Sequence, residues 1–202
     1  MKKRYKLLKN QPTQRKVLLK NAVVRVGALL LLLSCGDSPL PKPSSYMRLD
    51  YPNAEYKVLE TKSPYQFEHA GRAVIIQKKN DWADLYYPDM KATLVLTYRP
   101  VKENLRTLFV DAEKLTFKHM IKADDIQSLP YENPVSKVYG RVFEVFGDAA
   151  TQIQFHATDS TNNFLTGALY FYAKPNYDSI LPAVQHLKKD IVHLMETLEW
   201  KN

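Results

Sequence analysis

The chain's one cysteine, Cys35, closes the run Leu32-Leu33-Ser34-Cys35 at the end of a basic and then apolar leader, so the rest of the chain can form no internal disulfide. Whatever follows must be held by a packed core. Ahead of Cys35, Lys2, Lys3, Arg4, Lys6, Lys9, Arg15, Lys16, Lys20 and Arg25 occur with no acid, and Val26 to Leu33 is apolar, which is the layout of an export signal. As a helix that run reaches only about 12 Å, at about 1.5 Å per residue, against a hydrocarbon core of about 30 Å. A membrane-spanning anchor is therefore not expected. Small Ser34 suits a peptidase that accepts small residues before its target cysteine, and the thiol is the nucleophile that takes a diacylglyceryl group. Leu33 is bulkier than such motifs usually hold, and the basic stretch is long. The competing reading is a buried free cysteine that follows five leucines, but lipidation accounts for more of the pattern. The expected organisation is a leader over 1–34, a lipidated cysteine with a proline-rich tether over 35–45, and one folded domain over 46–202.

Cleavage changes the charge. The whole chain carries 29 basic and 21 acidic residues, and loss of the nine basic leader residues leaves 20 against 21, a net charge near −1. The basic pI of 9.4 thus belongs to the leader. With no recognition motif in its place, nucleic acid is not an expected partner. Pro39, Pro41 and Pro43 alternate in the tether. They favour extended polyproline geometry that would hold the domain roughly 30 Å from the bilayer at about 3.1 Å per residue, with plain disorder as the alternative. The remaining length is enough for one domain with a substantial core.

Past the tether, Phe67 to Ala70 and Ala73 to Gln77 flank Gly71 as a candidate hairpin, Leu85 to Tyr87 is a short strand, and Ala92 to Arg99 is a clear one that Pro100 should end. Leu105, Leu108, Phe109, Ala112 and Leu115 recur at helical spacing and predict a helix from Asn104 to about His119. Three β-rich runs follow, Val138 to Phe146, Ala149 to Thr158 and Phe164 to Ala173, joined by Gly147-Asp148 and by a polar stretch from Asp159 to Asn163, as in an antiparallel meander. In the middle run Thr151, Ile153, Phe155 and Ala157 alternate with Gln152, Gln154 and His156, so the first set should face the core. Pro175 and Asn176 should break the sheet. Asp178 or Ser179 can cap a final helix that carries Ile180, Val184, Leu187, Ile191, Leu194 and Leu198 on one side, with Pro182 tolerated in its first turn. The fold class is α+β, an antiparallel β-sheet packed against a mid-chain helix and a long C-terminal helix. By analogy of element order it resembles the Mog1/PsbP-like sandwiches.

No motif for catalysis emerges. The chain lacks a G-x-S-x-G elbow, an H-E-x-x-H pair, a phosphate-binding glycine loop and a dinucleotide fingerprint. Ser160, with Asp159 and His156 near, could be cast as a nucleophile, but Asp, Ser, Thr and Asn at that place read better as a turn. His186, Asp190 and His193 share one helical face as possible metal ligands; their span of about 10 Å along the axis is too long for one ion, and a solvated face with a charge contact is the better reading. Trp200 reads as a docking residue or, better, as a late-packing aromatic. A partner surface has more support. Thirteen tyrosines supply amphipathic contact area. If register puts Gln152, Gln154 and His156 on one sheet face with Tyr170 and Tyr172, they form a polar and aromatic surface, unless a helix covers it.

Several phrases are more specific: Pro64-Tyr65-Gln66-Phe67-Glu68; Lys118 to Asp124; Thr158 to Phe171; Asp190 to Trp200; and Tyr46-Met47-Arg48-Leu49-Asp50-Tyr51-Pro52 after the tether. Together they resemble the gliding-motility lipoprotein GldD family of Bacteroidota from the tether to the carboxyl end. The resemblance implies a non-enzymatic envelope lipoprotein, without cofactor, that is associated with gliding motility and the type IX secretion machinery. It implies partners among the proteins of that apparatus, and one defined site, acylated Cys35, whose chains (palmitate among them) enter the bilayer. Gly36 lacks the aspartate that retains some lipoproteins at the inner membrane, so an outer-membrane address is expected. The alternative is an envelope lipoprotein that binds a small ligand inside a PsbP-like domain.

Overall fold

In the computed structural model the described residues are Arg25, Tyr51, 54–117, 123–172 and 177–201. They fall, apart from Arg25, in a compact unit over Tyr46–Asn202. The expectations for the leader, Cys35 and the tether, and the break at Pro175 and Asn176, lie outside the described residues.

The elements are β1 (Tyr56–Val58), β2 (Tyr65–Gln66), β3 (Glu68–Ala70), β4 (Val74–Gln77), β5 (Ala83–Tyr87), β6 (Ala92–Pro100), α1 (Leu105–Phe117), β7 (Asp125–Asn133), β8 (Val138–Phe146), β9 (Thr151–Thr158), β10 (Asn163–Phe171), α2 (Tyr177–Glu196) and β11 (Glu199–Trp200). Seven strands form one antiparallel sheet in the order β4-β5-β6-β10-β9-β8-β7. The expected meander is its β8-β9-β10 portion. Two small ribbons, β1-β3 and β11-β2, flank it. The chain is therefore α+β, as its element pattern implied.

Period-two alternation sorts the side chains to two faces. On one face Leu94, Leu96, Ile153, Phe155, Leu165 and Leu169 are buried with Val184, Leu187, Ile191, Leu194 and Met195 of α2. Burying each such side chain contributes on the order of 1.5–3 kcal/mol, so this contact dominates the fold. Lys188 on α2 bonds Glu144 of β8, which is itself buried, and this pins the helix in register over the sheet.

Four local expectations need correction. Ala70 and Val74 do not form a hairpin around Gly71: β3 pairs with β1 and β4 with β5. The turn instead hands the chain from a ribbon to the main sheet, with Gly71 N–H donating to the Glu55 carbonyl at 2.7 Å. Asp178 and Ser179 lie inside α2, in its first turn, and Asp148, from the β8–β9 turn, accepts the Tyr177 N–H at 2.9 Å. Helix α2 also starts early enough that Pro182 falls in its second turn, where it removes one backbone bond. Leu198 lies beyond the helix, yet is fully buried beside β11.

β10 shows how closely the sheet is packed. Gly167 sits opposite Phe155, and a Cβ there would run into the Phe155 ring, which is only 2% exposed. Gly167→Ala is expected to cost about 1–3 kcal/mol, because a buried ring must leave its rotamer. Urea unfolding would measure it, and an unchanged midpoint would refute the account.

Candidate functional site

The second face of the sheet builds the site. Helix α1 forms because its apolar residues recur at helical spacing, and it lays Leu108, 4% exposed, against this face. Register does the rest: His156 lies opposite Thr166 of β10 and Arg141 of β8, and Gln154 opposite Ala168 and Phe143. Between helix and sheet remains a cavity of about 150 Å³ whose walls include Leu108, Phe143, Gln154, His156, Phe164 and Tyr170.

Register thus puts the expected polar and aromatic set on one face, but not as a surface. Gln152, Gln154 and His156 are 1%, 4% and 4% exposed. The physical reason is that all eight residues of β9 are buried, since both faces of this inner strand are covered. Gln152 donates to the Ala149 carbonyl at 2.8 Å, and Gln154 to Thr151 Oγ1 at 2.6 Å. Thr151 reaches Gln154 because the register shifts between Leu169 and Tyr170, which brings Thr151 opposite Tyr170 and off the face assigned to it by simple alternation. At the other end of the set Tyr170 is half-buried and Tyr172 is 67% exposed, accepting from Thr93 Oγ1 at 3.1 Å and meeting Tyr86 edge-on.

His156 is enclosed by aromatic rings that strand alternation alone does not reveal. Phe109 of α1 meets it edge-on at 5.1 Å, Phe164 stacks at 6.0 Å and Phe143 tilts against it at 5.8 Å. Its Nδ1 has no hydrogen-bond partner among the described residues. Burial, and then the nearby Arg141 charge, push its pKa down to about 4, so the ring is neutral at pH 7.

The nucleophile arrangement dissolves into a turn. Asp159 Oδ1 accepts the backbone N–H groups of Thr161, Asn162 and Asn163 at 2.8 to 2.9 Å, and its Oδ2 accepts the Asn163 amide. These bonds outweigh burial and hold its pKa low. Ser160 has a positive φ of 68° and donates its N–H to Thr158 Oγ1.

The His186, Asp190 and His193 face is only partly solvated: both histidines are half-buried and Asp190 is buried. Asp190, 3% exposed, accepts from Arg72 Nη2 at 2.9 Å and from Tyr56 Oη at 3.1 Å. Arg72 also bonds His186 Nε2. His193 stacks on Tyr56 at 3.6 Å and bonds Glu68 at 2.8 Å. The three thus share Arg72 and Tyr56, with Glu68 added at His193, and these partners from β1, β3 and the turn after β3 tie the small ribbon to α2. Sequence spacing finds the helical face; Arg72 and Tyr56, more than 100 residues earlier, carry no local signal of it. Trp200 packs in β11, where its Nε1 donates to the Lys137 carbonyl.

A histidine held below its unfolded value of 6.5 binds fewer protons folded than unfolded. Its contribution to stability is complete above pH 6.5 and is lost as pH falls toward 4. The loss is on the order of 3 kcal/mol. Thermal midpoints across pH 7 to 4 should fall in the native chain and flatten in His156→Phe. Parallel profiles would refute the assignment.

No curated protein matches the chain. Among solved structures, the solution structure of cyanobacterial PsbP (CyanoP) from Synechocystis sp. PCC 6803 is similar at 7% identity and a TM-score of 0.46, covering 76% of this chain and 97% of that one. Residues 36–200, from the residue after Cys35 to Trp200, match the family described as gliding motility lipoprotein GldD. That match takes in the sheet, both helices and the cavity between α1 and the sheet, and the chain belongs to the gliding motility lipoprotein GldD family.

Proposed function

We propose that this lipoprotein works without catalysis, as a bilayer-anchored component that holds or recruits other envelope proteins of the gliding and type IX secretion apparatus, at the outer membrane. Acyl chains on Cys35 supply the anchor. Each buried CH₂ contributes about 0.8 kcal/mol, and more than one chain makes attachment stable. The engagement of Asp159 and Asp190 in structural bonds supports a non-enzymatic role.

The observation that carries partner binding is an apolar and aromatic patch beside the edge strand β4. Val74 and Ile76 are 50% and 46% exposed on that strand. Val74 lies opposite Tyr86, Tyr86 opposite buried Thr93, and Thr93 bonds Tyr172, so the patch reaches from β4 past β5 and β6 to the residue that follows β10. Exposed apolar side chains next to a sheet edge favour addition of another protein segment. This moves the expected surface from the Gln154 end to the Tyr172 end of the same sheet face.

A second reading, a small ligand bound inside the domain, is favoured by the cavity under α1.

Photo-reactive residues placed at Ile76 and Tyr172 in living cells should cross-link to an envelope protein, and the same probe at exposed Gln127 on the opposite edge strand should not. Equal yield at all three sites, or none at any, would sink the recruiting role. Intact-mass spectrometry of the native protein should find Cys35 at the mature N-terminus with acyl groups on its sulfur; a free thiol would remove the anchor.

A further inference from the structure

A second cleft, apart from the cavity under α1, opens between the β11-β2 ribbon and the main sheet. It holds about 860 Å³, within the roughly 300–1,000 Å³ of small-molecule sites. Pro64 before β2, Trp82 before β5 and Pro100 at the end of β6 give it flat apolar wall. Trp82 is 36% exposed, and its Nε1 donates to the Tyr98 carbonyl at 2.9 Å. The indole is thus fixed in place with its polar atom satisfied, and what it has left to offer a ligand is ring surface. The charged groups on the wall are of both signs. Among the described residues neither the Lys62 ammonium nor the Asp81 carboxylate forms a hydrogen bond or ion pair. Lys201 donates one N–H to the Thr61 carbonyl at 2.7 Å and keeps its others, while Arg99 pairs with Asp111 at 3.6 Å. Asn80 and Asp81 take positive φ, 62° and 58°, and these two successive residues in a sparsely populated region hold Asp81 on the wall beside Trp82.

We infer that this cleft binds a neutral saccharide, with the C–H face of one pyranose ring against Trp82 and its hydroxyls donating to Asp81 and accepting from Lys62 and Lys201. A hydroxyl both donates and accepts, so one uncharged ligand matches unpaired groups of either sign. An anion would be set against Asp81, and a cation against Lys62 and Lys201. A purely apolar ligand would strip water from these groups and return no bond. A pyranose carries an apolar face and a rim of hydroxyls together, which complements a flat indole with hydrogen-bonding groups beside it. Lys62, Asp81 and Trp82 belong neither to the α1 cavity nor to the patch at β4, so saccharide binding here is independent of the partner and small-ligand roles proposed above.

The test uses the full lipidated chain in micelles of a sugar-free detergent and a panel of neutral oligosaccharides of glucose, galactose, mannose and N-acetylglucosamine. Oligogalacturonate and poly-glutamate serve as anionic comparisons. Trp82 and Trp200 are the chain's two tryptophans, so the indole ¹⁵N resonances report on the site. At least one neutral oligosaccharide should bind saturably and move the Trp82 resonance while leaving that of Trp200 in place. Trp82→Ala and Asp81→Asn should each weaken that binding roughly tenfold, and Trp82→Phe, which keeps a ring, should retain most of it. Asparagine tolerates positive φ, so Asp81→Asn decides the matter if Trp82→Ala fails to fold. Binding of no neutral oligosaccharide, or undiminished binding by the Asp81→Asn and Trp82→Ala chains, would overturn the inference. Tighter binding of oligogalacturonate or poly-glutamate than of any neutral sugar would also overturn it, and would mark the cleft as a site for anions.

Discussion

Burial of one strand on both faces is the constraint on which the domain depends. β9 lies inside the sheet, with β10 and β8 on either side, and none of its eight residues reaches solvent appreciably. A domain with no thiol to spare for a disulfide has to gain its stability this way. Ile153, Phe155 and Ala157 supply the apolar side under α2. The other side is polar in composition, and it can be buried only because each group finds a neighbour: Gln152 its own turn, Gln154 the shifted Thr151, His156 a surround of phenylalanine rings. Unpaired polar groups at such depth cost about 1–3 kcal/mol each, and among the described residues Nδ1 of His156 and Oδ1 of Asp84 are the atoms of this face that meet no partner.

The two helices do different work. Helix α2 carries a continuous apolar stripe, and it is held by an ion pair to β8 and by a network from Arg72, Tyr56 and Glu68 to its far side. Helix α1 covers the polar face more thinly, and the cavity lies beneath it. It leaves Val110 and Phe117 exposed, at 40% and 47%. One face of the sheet is thus a close-packed foundation; the other holds the cavity and, toward β4, the exposed patch. The cavity and the patch both occupy the side that the core does not need.

Much of this was legible in the residues. The meander shows as alternating runs separated by Gly147-Asp148 and by the polar turn, and both helices show as apolar residues at helical spacing. The strand β7 was not legible, because Asp125–Asn133 is largely exposed and contains Pro130; backbone pairing with β8 alone makes it a strand, at an edge where a proline is tolerated. β1, β2 and β11 are two or three residues long and exist only through partners distant in the chain. The Gln154 and His156 set was found by alternation, and its burial was not, since a polar strand face looks alike whether water or a helix covers it.

What the sequence by itself determined is therefore whatever depends on neighbours along the chain: the helical stripes, the strand periodicity and the phrases that carry the family. Tertiary structure decided what depends on residues far apart. It set Asp148 on the end of α2, Arg72 and Tyr56 on Asp190, and Phe109 over His156. It also chose which tyrosines stay exposed. The reason is that periodicity reports which side chains share a face, while burial, and with it protonation and access to a ligand or partner, is set by what the rest of the chain lays upon that face.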